Sequence, residues 1–165
     1  DDLHDPQGPV FVPLSAIFDA ACAQLDIART LAAKGRCVFI KPHPMYPIAF
    51  DESTKLVRVE RSLAEHRGLS AVLYTTGASG LEAVLMGIPG YRLILDDRIS
   101  IDVLPFGFST QTVTTTNAAE AVLEGSASSF LAAWDDIFSD PDIGLWKSLL
   151  FGDIDGPTQT LEEHQ

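Results

Sequence analysis

The segment Lys41-Pro42-His43-Pro44 sets a lysine and a histidine two residues apart, each followed by a proline. A proline biases the residue before it toward extended geometry, and residues two apart in an extended chain point the same way. Lys41 and His43 are therefore expected to project together, as an ammonium and an imidazole able to meet a compact anion. The alternative is a rigid loop in which Lys41 is solvated and His43 bonds to a neighbouring backbone carbonyl. The second candidate is Thr75-Thr76-Gly77-Ala78-Ser79-Gly80-Leu81-Glu82. There a strand-like run enters a glycine-rich turn and then a helical pattern. Hydroxyls of Thr75, Thr76 and Ser79, the flexible backbone at Gly77 and Gly80, and the N–H groups of a helix start would together cradle a phosphate. The segment is neither G-x-G-x-x-G nor a P-loop. Ser79 to Glu82 also matches the capping-box pattern S-x-x-E, in which case hydroxyl and carboxylate only close the helix end.

Both segments need a scaffold that brings them to one place, and the apolar pattern supplies it. Gly8 to Leu14 is a short apolar run, and from Ser15 the spacing of Ile17, Cys22, Leu25, Ala28, Leu31 and Ala32 predicts an amphipathic helix ending near Lys34-Gly35. Arg36 to Ile40 is a second strand that stops at the proline-rich segment Lys41 to Pro47. Leu56 to Val59 is a third, Ser62 to Arg67 a helical turn, and Leu69 to Thr75 a fourth strand with almost no polar interruption, as expected when both faces are covered. Strand, turn and helix then repeat through Gly87 into Tyr91 to Leu95. Gln111 to Thr116 reads as the last strand, Asn117 as the cap of the helix Ala118 to Gly125, and Ser128 to Ser139 and Ile143 to Phe151 as two closing helices. Alternating β and α elements predict a Rossmann-like three-layer α/β sandwich with about six parallel strands. In such a sheet ligands bind beyond the carboxyl ends of the strands, where both candidate segments fall.

The 165 residues suit one domain, read as a flexible lead over 1–8, a body over 9–151 and a polar tail over 152–165. The start at Asp1 without Met suggests a segment of something longer. Eleven Lys and Arg against 23 Asp and Glu give a formal charge of -12, so a duplex polyanion would be repelled and nucleic acid is not expected as a partner. A compact anion is not excluded, because surface charge is screened beyond about 8–10 Å. No apolar run approaches the roughly 20 residues of a membrane span, so a soluble domain is expected. Two cysteines, Cys22 and Cys37, cannot build a Cys-only zinc site and read as buried thiols in a reducing compartment. Asp96-Asp97 reads as a solvated strand end rather than a metal site, and Arg98 with Asp102, at the same sheet edge, as a loop salt bridge, with base or ribose contacts as the alternative. His4, His66 and His164 read as surface histidines. Trp134 and Trp146, spaced with Phe130, Ile137, Phe138, Leu145 and Leu149, have core spacing, for packing or for docking the closing helices on a further domain.

VFIKPHP followed by AVLYTTGASGLEAVLMGIP and YRLIL resembles the C-terminal, donor-nucleotide half of GT-B-fold glycosyltransferases of bacterial surface polysaccharide (capsule and lipopolysaccharide) biosynthesis. Transferases using CMP-activated sugars and CDP-glycerol glycerophosphotransferases are the nearest in character, and the resemblance spans Val10 to Glu124. It implies that His43 is the catalytic group contacting the donor phosphate, with Lys41 beside it. Thr76 and Ser79 would hold the same phosphate and Glu82 would reach the ribose hydroxyls. It further implies a nucleotide-sugar donor, no metal or other cofactor, and an acceptor site and base on an N-terminal domain not contained in this chain. A cytoplasmic location, with peripheral inner-membrane association through a longer protein, goes with it. UDP-GlcNAc 2-epimerases share the architecture and leave an isomerase open, as does a non-catalytic nucleotide-sugar-binding module.

Overall fold

A computed structural model describes residues 3–96, 98, 104, 108–129 and 131–151. Six strands, β1 Val10–Pro13, β2 Val38–Lys41, β3 Leu56–Arg58, β4 Ala71–Tyr74, β5 Gly90–Leu93 and β6 Gln111–Val113, form one sheet in the order β3-β2-β1-β4-β5-β6. Every pairing is parallel. The chain is thus a Rossmann-like α/β domain, and its strand order reverses direction between β1 and β4, the switch point at which such sheets open a crevice.

Strand alternation divides the core. Val10, Val12, Val38 and Ile40 face one side and pack with α1 (Phe18–Ala33) and α3 (Ala118–Glu124). Phe11, Val72 and Tyr74 face the other and pack with α2 (Ser79–Leu85) and a single 3₁₀ turn, Leu63–Glu65. Both faces of the sheet are covered, which explains why the strands read as continuous apolar runs.

Several sequence expectations change. The described part of the lead read as flexible, residues 3–8, is tied to the sheet base: Asp5 N–H donates to Leu69 O and Leu69 N–H to Leu3 O. Cys22 and Cys37 are free but half-buried. Asn117 precedes α3 without capping it, because its side-chain oxygen turns back to accept Thr114 N–H. Of the two closing helices, the first shrinks to α4 (Trp134–Ile137), while α5 keeps Ile143–Phe151. Their tryptophans do not enter the core: Trp134 is 63% and Trp146 56% exposed, and Leu145 and Leu149 are exposed as well. Helical spacing marks an apolar stripe, but it does not place a complementary surface opposite it. Phe130, Asp97, Asp102 and His164 lie outside the described residues. Among the described residues no helix is long and apolar enough to cross a membrane.

Candidate functional site

At the switch point lies a cleft of about 490 Å³, within the range of small-molecule sites. Its walls come from the ends of β1 and β2, the loop Ser15 to Ile17, the start of the 3₁₀ turn, and the segment after β4. Lys41, His43, Thr76, Gly77, Ser79 and Glu82 all line it. Two segments roughly thirty residues apart in sequence therefore share one cavity.

The KPHP wall is rigid for local reasons. Lys41 is the last residue of β2, in register with Pro13, and its carbonyl accepts Leu14 N–H at 2.9 Å. Pro42 and Pro44 have no N–H to extend the ladder, so the strand stops there. The chain then turns, with Tyr46 N–H donating to His43 O at 3.2 Å. Met45 N–H donates to His43 Nδ1 at 3.3 Å, and the imidazole stacks on Tyr46 with ring centroids 5.9 Å apart. With Nδ1 accepting, the neutral ring carries its proton on Nε2 and is a donor there. The arrangement in which His43 donates to a backbone carbonyl is not the one formed.

The second wall departs from the capping-box expectation. Ser79 is the first residue of α2, Ala78 occupies the cap position in helical geometry, and no side chain caps the helix. The pattern S-x-x-E does form a capping box, but at Ser62 and Glu65: Ser62 N–H and Oγ both donate to Glu65 Oε2 at 2.8 Å. These bonds hold the Glu65 carboxyl below its ordinary range, with smaller help from Arg61 and Lys41. Ser62 itself lines the cleft, but its hydroxyl proton is committed to Glu65. Gly77 lies on the cleft at φ 109°, a geometry a residue with a Cβ enters only under strain.

Two predicted residues stand elsewhere. Thr75 is buried and faces a smaller cavity beside Leu93 and Arg98. Gly80 is buried against Tyr74, where an added Cβ would come within 2.4 Å of the ring, so its smallness serves packing. Arg98 forms an ion pair with Asp19, and Asp96 is exposed. Among the described residues no three His, Cys, Asp or Glu side chains cluster as metal ligands would.

Sequence reading missed two residues. Gln24, fully buried on α1, accepts Ser15 N–H at 2.8 Å and donates to Pro13 O at 2.9 Å and Leu73 O at 3.4 Å. It thereby ties the cleft's floor loop to the ends of β1 and β4, and its signal was a lone amide within an apolar helical stripe. His66 is no surface histidine: its ring lies 5.2 Å from Phe11 and 5.4 Å from Phe39, with Nε2 buried and unpartnered. Burial pushes its pKa below the ordinary value, with nearby Arg61 and Lys41 adding to the effect, against a hydrogen bond to Arg61 backbone and the Glu65 charge.

The cleft thus offers the Lys41 ammonium, the His43 imidazole N–H, the hydroxyls of Ser15, Thr76 and Ser79, none of which caps a helix, and the Glu82 carboxylate. No protein-family model matches the chain, and neither curated proteins nor solved structures give a significant match.

Proposed function

We propose that this domain binds the phosphate of a nucleotide-activated sugar and serves as the donor half of a glycosyltransferase of bacterial surface polysaccharide biosynthesis. The observation that carries this reading is the convergence of Lys41, His43, Thr76 and Ser79 on one cavity at the switch point. In this role Lys41 and the His43 Nε2–H meet the phosphate oxygens, while Thr76 and Ser79 donate their hydroxyl protons. α2 has only seven residues, so its dipole is a small contribution and the charge match rests on Lys41. Glu82 is an acceptor in an anion site, a placement suited to ribose hydroxyls rather than phosphate.

The transfer is a displacement at the anomeric carbon. An acceptor oxygen bonds to that carbon, the bond from carbon to phosphate oxygen breaks, and the phosphate leaves with the electron pair. The acceptor proton goes to a base of a further domain. Donors preorganised around the departing phosphate act where negative charge grows, and losing one such donor typically costs about 10²–10³ in rate.

A thermal-shift series with CMP, CDP, UDP and GDP tests the reading. At a hundredfold excess over Kd, binding stabilises by about 2.7 kcal/mol, or several degrees in a domain of this size. His43→Ala is expected to leave the unliganded melting temperature within about two degrees and to remove the ligand shift, since a charge-assisted bond to a ligand contributes only when the ligand is bound. If none of these nucleotides moves the melt, or if His43→Ala destabilises the free domain while affinity persists, the assignment fails.

A further inference from the structure

A second cavity, about 350 Å³, adjoins the cleft across Ser15 and Ala16, which line both. Its other walls are Phe18, Tyr46, Pro47, Ile48 and Ala49. Phe18 is 67% and Tyr46 57% exposed, so two aromatic rings stand open at the mouth of an anion site. Tyr46 stacks against His43 and is still more than half exposed. Among the described residues no charged side chain lines this annex, and the polar side chains there are the Ser15 and Tyr46 hydroxyls.

We infer that the annex holds the base of the bound nucleotide by stacking on Tyr46 and Phe18, with little discrimination between bases. The inference rests on the proposed phosphate site and extends it. A ligand phosphate at His43 lies next to the residue that stacks on Tyr46, so a pentose is the natural span between the two. Open aromatic faces favour a planar neutral ring, and every base has a π-face. Reading a base edge through side chains requires placed donors and acceptors, and the described side chains of the annex bring two hydroxyls to that task. Selectivity at this site then comes from the phosphate and the pentose.

Titration of ribose 5-phosphate, CMP, UMP and GMP into the wild-type domain and into Tyr46→Ala and Phe18→Ala tests it. The three nucleotides should bind within a few-fold of one another and on the order of tenfold more tightly than ribose 5-phosphate. Tyr46→Ala should bring the nucleotides to the ribose 5-phosphate level while leaving ribose 5-phosphate unchanged. Phe18→Ala, which does not touch His43, should act in the same direction. The inference falls if ribose 5-phosphate already binds as tightly as the nucleotides, if one base is strongly preferred, or if Tyr46→Ala weakens all four ligands equally. If ribose 5-phosphate does not bind either, the phosphate site falls, and the annex assignment with it.

Discussion

At the scale of single residues, what a side chain does here follows from which of its atoms is occupied. His43 and His66 are the same residue type in two different surroundings. His43 has Nδ1 held by Met45 N–H and stands on the cleft, whereas His66 is packed between two phenylalanines with Nε2 unpartnered. Burial favours the neutral form of His66, so the unfolded chain takes up this proton more readily than the folded one. The stability from burying neutral His66 is therefore full above about pH 6.5, the unfolded value, and declines as pH falls toward the lower folded value. Melting temperatures measured across this range should fall on acidification, and His66→Gln, which cannot titrate, should flatten the slope. An unchanged slope in His66→Gln would assign the effect to other groups. None of this was legible in the sequence, because Glu65-His66-Arg67 reads as a solvated stretch and only the fold lays Phe11 and Phe39 against it.

At the scale of elements, the S-x-x-E pattern read as a capping box at Ser79 does not form one, whereas the same pattern at Ser62 does. Ser62 is extended, leaving its hydroxyl and N–H to meet Glu65, whereas the turn through Gly77 brings Ala78 into helical geometry and starts α2 one residue early. Ser62→Ala should cost about 0.5–2 kcal/mol and lower the melting temperature by a few degrees. Ser79→Ala should leave the melt of the unliganded domain within about a degree and weaken nucleotide binding, since Ser79 lines the cleft and its side chain caps no helix. Equal destabilisation by the two substitutions would show that Ser79 caps after all. The strands were read closely from their apolar runs, with ends differing by one to three residues, since an uninterrupted run of Val, Ile, Leu and Phe suits a doubly covered strand.

At the scale of the whole molecule, the chain's two tryptophans sit on α4 and α5, and both are mostly exposed. Intrinsic tryptophan emission should therefore be red-shifted and readily quenched by acrylamide in the native domain, changing little on unfolding while circular dichroism reports the full transition. A blue-shifted, quencher-resistant native spectrum would mean that these helices are covered in solution. Helical periodicity marked an apolar stripe, and of its two readings packing into this domain's core is the one the exposure overturns, because spacing reports which residues share a face and not what lies opposite. By contrast, alternating apolar strands and helices with glycine and proline at their ends already determined a parallel α/β sheet, since few other architectures bury such runs on both sides. The order of residues also determined that KPHP and TTGASG each follow a strand, and so lie at its carboxyl end. Tertiary structure decided which of those residues meet. The strand order puts β1 between β2 and β4 and so brings Lys41, His43, Thr76 and Ser79 into one cleft. The ring of Tyr74 claims Gly80, the buried end of β4 removes Thr75, and Gln24 ties down the loop that carries Ser15. These outcomes depend on pairing and packing between distant segments, which local spacing does not encode.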